Sequence, residues 1–321
     1  MTTIVECYLE TDKLSDDRTI VSISDLHITK NGDRYIGLKN ILRLIQTLDK
    51  IDFDYLLVPG DIINDTKDLE DVRFCNNLSY ALKELMHDKL SFFSLGNHDL
   101  MTKGINGWEK GNVNLLKEIL NDLPNAILLD GFDSFSLNDD ILLEKGISKA
   151  NINIVGVSMP FEYYERDKEG DLSFWNYWNN SKAMRGTKYT TLDKNSYNIL
   201  MLHSLRNYIE MSRTCGYNIY PNVDFAVGGH YHNGAIPNWL CPFVKGDSGV
   251  ISPQMEFFPE TVRGLEKVND MYAHMGGYTN FRVENPMVNS LMGGPYIFIL
   301  HLFPMEKGKE KGGIKVKKYL K

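Results

Sequence analysis

Aspartate, histidine and asparagine gather at five places in this chain: Asp25-Leu26-His27, Gly60-Asp61, Gly96-Asn97-His98-Asp99, His203 and Gly229-His230-Tyr231-His232. Five of the eight histidines lie in these clusters. Asp25 and Asp61 offer charged oxygens, and a carboxylate can bridge two cations. His27, His203, His230 and His232 offer imidazole nitrogen, and Asn97 an amide oxygen. A mixed nitrogen–oxygen set of this kind suits Mn, Fe, Zn, Co or Ni better than calcium, which prefers oxygen alone. No cysteine joins the clusters, so a thiolate site is not expected. A pair of such ions can hold a phosphate ester and generate hydroxide beside it. His98 and Asp99 follow Asn97 directly, so a general acid and a residue to orient it could stand beside the metals. His87, His274 and His301 read as non-catalytic.

Each cluster alone says little. Gly-Asp is usually a turn, and Asn and Asp favour turns for reasons unrelated to metals. What unites the five is position, because every one follows a predicted strand. Residues 19–24, 54–58 and 90–95 read as buried strands, residues 38–48 and 113–120 as amphipathic helices, and residues 68–87 as one long amphipathic stretch. This alternation predicts parallel strands covered by helices. Open α/β sheets place ligands beyond the carboxyl ends of their strands, so the first three clusters should share one edge. The second half reads as richer in strands, at residues 126–129, 135–137, 141–144, 152–157, 198–202 and 224–227. Residues 295–321 read as a C-terminal β-hairpin. Two sheets face to face with helices outside are expected. If the chain stays extended past its strands, residues i and i+2 share a side, which would bring Asp25 together with His27 and His230 with His232.

Composition narrows the function classes. The chain has 321 residues, 43% hydrophobic and 24% charged, with a formal charge of −7. A mildly acidic protein lacks the basic footprint that nucleic-acid binding asks for. Cys7, Cys75, Cys215 and Cys241 form no C-x-x-C pair and read as reduced thiols. The N-terminus has no basic segment followed by an apolar stretch, and no apolar run approaches the ~20 residues that span a bilayer. A cytoplasmic protein is expected.

The ordered pattern Asp-x-His, Gly-Asp, Gly-Asn-His-Asp, His, Gly-His-x-His resembles the calcineurin-like metallophosphoesterase superfamily, over residues 19 to about 234. The resemblance implies an α/β fold, a four-layer αββα sandwich of two mixed sheets, and a dinuclear metal centre. One ion would be held by Asp25, His27, Asp61 and His232. The other would be held by Asp61, Asn97, His203 and His230, with Asp61 bridging. Asn97 and His98 would meet the substrate. His98 would protonate the leaving oxygen or stabilise its charge, and Asp99 would orient His98. Residues 246–289, with Arg282, are similar to the closing segment of bacterial phosphodiesterase-like members. The protein Ser/Thr phosphatases of the superfamily carry Gly-Asp-x-x-Asp-Arg-Gly and Gly-Asn-His-Glu. Here Asn64-Asp65-Thr66 replaces Asp-Arg-Gly and Asp99 replaces Glu, which disfavours that subgroup.

The expected activity is therefore metal-dependent hydrolysis of a phosphodiester, or a phosphomonoester, by an activated hydroxide. A catalytically silent scaffold of the same fold and a metal-dependent nuclease are the rivals. The expected partner is a small nucleotide-like or lipid-like phosphoester. One domain should span residues 1–321, with an aromatic-rich insertion around residues 161–190 that either stacks a ligand or packs on the sandwich.

Overall fold

The short apolar runs become strands because branched and aromatic side chains suit a pleated surface covered on both faces. The computed structural model describes the chain apart from residues 33, 106, 131, 138–150, 166–191, 219, 245, 253–255, 282–286, 288–290 and 306–312. Strands β1 (Thr3–Thr11), β2 (Arg18–Ser22), β5 (Tyr55–Pro59), β6 (Leu90–Ser94), β9 (Ala126–Leu128), β16 (Tyr296–Pro304) and β17 (Lys315–Leu320) build one sheet. Its order is β17-β1-β16-β2-β5-β6-β9. Strands β10 (Phe132–Leu137), β11 (Ile152–Val157), β12 (Tyr197–Leu202), β13 (Phe225–Gly228), β14 (Gly264–Val268) and β15 (Met271–Met275) build the second. Its order is β10-β11-β12-β13-β15-β14. Two ribbons stand apart, β3 (Thr29–Asn31) with β4 (Arg34–Ile36), and β7 (Met101–Gly104) with β8 (Gly107–Lys110).

Three apolar layers hold four structural layers together. Val5, Cys7, Ile20, Leu57 and Phe92 from the first sheet meet Ile154, Ile199, Met201 and Phe225 from the second. On the outer face of the first sheet, Val21, Leu56, Val58 and Phe93 pack on helices α1 (Leu38–Leu48), α2 (Val72–Met86) and α3 (Asn114–Asp122). On the outer face of the second, Val155, Leu200, Leu202 and Ala226 pack on α4 (Phe161–Glu165) and α5 (Arg206–Cys215). The expected αββα arrangement of mixed sheets is present. No helix among the described residues is long and apolar enough to cross a membrane.

Two local expectations change. The stretch at residues 68–87 is not continuous. A 3₁₀ turn at Thr66–Glu70 precedes α2, and Asp71 between them adopts an extended conformation. Its carboxylate accepts from the amides of Arg73 and Phe74, so it caps α2 and ends the earlier turn. Nor is the C-terminal segment a hairpin. β1 lies between β16 and β17, parallel to the first and antiparallel to the second. A strand from the other end of the chain fills that slot because its Ile4, Val5 and Cys7 can be buried on both faces. β17 forms the sheet edge with exposed lysines, a composition that discourages further strand pairing. Residues 141–144, and most of the aromatic segment beyond Glu165, lie outside the described residues.

Helix α1 provides a direct test of the layer assignment. Leu44 is fully buried against the first sheet, and Leu42 on the same helix is 59% exposed. Leu44→Ala is expected to lower unfolding free energy by about 2–5 kcal/mol. Leu42→Ala should change it by less than about 0.5 kcal/mol. Chemical denaturation of the two variants measures the difference.

Candidate metal centre

The parallel strands β2, β5, β6, β12 and β13 end on one edge of the sandwich, and the polar clusters follow them there. The chain does not stay extended beyond these strands. Asp25, His27, Asp61, His230 and His232 all have positive φ, between 42° and 69°. This left-handed backbone costs a non-glycine residue roughly 1–2 kcal/mol. It curls the segments inward, and that curl, not strand pleating, makes Asp25 meet His27 and His230 approach His232. Backbone bonds hold the shape: the amide of His27 donates to Asp61 O at 3.0 Å, and that of Gly229 to His203 O at 3.0 Å. A β-carbon on Gly96 would lie 2.3 Å from Asp61 Oδ1, and one on Gly229 would lie 2.3 Å from Asp25 Oδ2. Only glycine admits the two carboxylates this close to the neighbouring turns.

The side chains sort into two sets that share one residue. Asp25, His27, Asp61 and His232 present ligand atoms all within 4.8 Å of one another, and so do Asp61, His203 and His230. Asp61 Oδ2 lies 3.6 Å from His27 Nε2 and 3.1 Å from His203 Nε2, between the sets. Its other oxygen accepts from the His98 amide at 2.8 Å, which fixes the carboxylate plane. Asn97 Oδ1 stands 2.9 Å from His230 Nδ1 and 3.2 Å from His203 Nε2, so it joins the second set. In the first set, His232 Nε2 is 3.0 Å from Asp25 Oδ1 and 3.1 Å from His27 Nε2. The Ser24 hydroxyl donates to the outer oxygen of Asp25 at 2.6 Å. His203 Nδ1 lies 2.7 Å from Pro59 O, so donation to that carbonyl leaves Nε2 facing inward.

This donor set fits metal ions. Imidazole nitrogens aimed at one another and at carboxylate oxygens cannot all be satisfied by the protons available among them. Ligands about 2.0–2.2 Å from an ion lie at most about 4.4 Å apart, a spread compatible with both sets. The cluster of Asp25, His27, Asp61, His203 and His230 can hold two metal ions.

The electrostatics agree. Burial pushes the imidazoles of His27 and His230 down to about 3, so both are neutral at ordinary pH with lone pairs free. Burial would raise the Asp25 carboxyl, but the charges of His232 and His203 hold it at about 2. Asp61 is likewise buried, and His203 and His98 hold it well below the usual carboxylate range. His203 differs: burial lowers it, but Asp61, Asp25 and the bond to Pro59 together lift it to about 9.

His98 is half-buried at the rim of the site, its ring 4.8 Å from that of His27. The expected role of Asp99 toward it needs correction. Asp99 Oδ1 accepts from the amides of Ile62 and Ile63, and Oδ2 accepts from Gly96. The carboxylate therefore ties the Asp61 turn to the Asn97 turn. His98 Nδ1 instead lies 2.9 Å from the carbonyl of Asn64. Four rings around the ligands were not singled out in the sequence as site residues. Tyr164 packs on His203 and His230, Tyr278 and Phe281 on His232, and Trp108 on His98. For Tyr164 the aromatic run from residue 161 was a signal; the others carry no pattern. Arg282 lies outside the described residues.

Two outcomes are expected. Metal analysis of Asp61→Ala should find both ions lost, while Asn97→Ala should deplete the second set more than the first. In metal-free protein His203 carries a proton below about pH 9, and ligation through Nε2 expels it. Metal affinity should therefore rise with pH toward 9 and then level off. Calorimetric titration in buffers of differing ionisation heat should register about one proton released near pH 7.5.

Comparison with known proteins adds a sequence-level finding. The profile described as calcineurin-like phosphoesterase matches residues 18–234, about two thirds of the chain. No curated protein matches. Solved structures with similarity include the phosphopantetheinyl hydrolase of Mycobacterium tuberculosis, at 14% identity and a TM-score of 0.40, covering 81% of this chain and 89% of that one. A dimetal phosphatase from Danio rerio matches at 10% identity and a TM-score of 0.39, covering 90% and 93%. The NAD nucleotidase of Haemophilus influenzae matches at 16% identity and a TM-score of 0.39, covering 82% of this chain and 45% of that one. The profile spans β2 through the turn that carries His232, and so takes in every residue of both ligand sets: the chain belongs to the calcineurin-like phosphoesterase family.

Proposed function

We propose that this protein is a dinuclear-metal-dependent phosphoesterase that hydrolyses small phosphodiesters in preference to monoesters. The observation that carries the reading is the placement of Asp61 Oδ2 between two ligand sets. When bound, two ions of the Mn, Fe, Zn, Co or Ni class supply Lewis acidity and a water of lowered pKa. The chain's own groups do the rest. Asp25, His27, Asp61 and His232 hold one ion, and Asp61, Asn97, His203 and His230 the other. Asn97 and His98 face the substrate. His98 Nδ1 is occupied at the Asn64 carbonyl, which turns Nε2 outward to give a proton to the departing alkoxide. Asp99 acts from a distance, by fixing the two turns that carry Asp61 and Asn97.

Preference for diesters is supported by the segment Asn64-Asp65-Thr66, which has no arginine to clamp the extra charge of a monoester. One phosphoesterase domain over the whole chain is the proposed organisation. Cys7, Cys75, Cys215 and Cys241 are all free thiols, which suits a reducing cytoplasm.

Metal-loaded protein should hydrolyse an aryl phosphodiester, and chelation should abolish turnover. A metal-replete protein that leaves every activated phosphoester intact would overturn the reading. His98→Ala should keep its metals but lose about 10²–10⁴-fold in kcat, most for esters with poor leaving groups. Equal losses across leaving groups of differing pKa would remove His98 from that role.

A further inference from the structure

Trp108 sits on the ribbon β7–β8, which follows the His98 turn without interruption. A two-stranded ribbon is marginal by itself, but this one is fastened at three points. The amide of Gly111 donates to Leu100 O at 2.8 Å, the amide of Lys103 to Asp65 Oδ2 at 3.1 Å, and Lys110 Nζ to Glu162 Oε1 on α4 at 2.9 Å. Asp65 adjoins Asn64, whose carbonyl holds His98. The same short loop thus fixes both the imidazole and the ribbon beside it.

The indole meets the His98 ring edge to face, with centroids 5.1 Å apart and planes at 81°. It remains 39% exposed. Packing on one imidazole uses only part of a tryptophan, and the remaining flat apolar area stands next to the group assigned to the leaving oxygen. A planar ring carried by the leaving alcohol would cover that area and recover its burial, whereas an open-chain alcohol would not.

We propose that Trp108 is a specificity-determining residue that stacks a planar ring, of the nucleoside kind, on the leaving-group side of the substrate. The proposal rests on the phosphoesterase reading above and names the substrate class for that site. Two ligands that share a ribose phosphate and differ only in the base separate stacking from phosphate binding: adenosine 5′-monophosphate and ribose 5-phosphate.

Calorimetric titration of each into full-length, Mn²⁺-loaded protein requires no turnover, so loss of this proposal is distinguishable from loss of the phosphoesterase reading. Wild type should bind the nucleotide at least about tenfold more tightly than the sugar phosphate. Trp108→Ala should remove about tenfold of the nucleotide affinity and change that for the sugar phosphate less than about twofold. Trp108→Phe should restore most of the loss. Equal weakening of both ligands would reduce Trp108 to a prop for His98. Equal affinity of wild type for both would overturn the proposal outright. Metal content of the variants checks that the centre is intact.

Discussion

One oxygen atom organises this molecule. Asp61 Oδ2 stands between two sets of imidazoles in a space almost closed to water. A buried carboxylate is tolerated only when it is paired and hydrogen-bonded, and two of them side by side repel. Asp25 and Asp61 are both buried here. Their neighbours compensate: backbone amides of His98 and His230, the Ser24 hydroxyl, and a ring of histidines. Without cations the arrangement is a concentration of lone pairs facing each other; with them it becomes a coordination shell.

That requirement explains the conformation of the loops. Ligands that follow extended strands would alternate sides, so the chain adopts left-handed turns at five of them. Such strain persists where the surroundings over-determine it. Here the surroundings are two sheets with buried strands on either side, and Asp99, which binds the Asp61 and Asn97 turns through three amides. The rigid strands set the distance between segments, and the strained turns set the direction of each side chain.

Much of this was legible in the sequence, for physical reasons. The strand–helix alternation over the first 130 residues is a local periodicity, and α1 begins and ends where its apolar spacing does. The ligand residues are legible because few other arrangements place histidine and aspartate directly after strand after strand. Side-chain roles were less legible. Asp99 adjoins His98 in sequence yet faces the opposite way, because adjacent residues in a tight turn diverge. Trp108 and Tyr278 carry no motif, and their place beside the histidines depends on tertiary packing. The break at Asp71 was hidden because an amphipathic pattern continues across a cap. The slot occupied by β1 was invisible for a different reason: residues 295–320 look self-sufficient when read alone, and nothing local announces a distant strand between them.

That slot also bears on how the molecule assembles. Both ladder partners of β1 come from the last quarter of the chain, at Tyr296–Pro304 and Lys315–Leu320. While the ribosome is still making the middle of the protein, Thr3–Thr11 has neither neighbour. Its apolar side chains and open amide edges must then wait or be shielded, and contacts of such sequence separation form slowly. The strand that emerges first is therefore among the last to be locked in place.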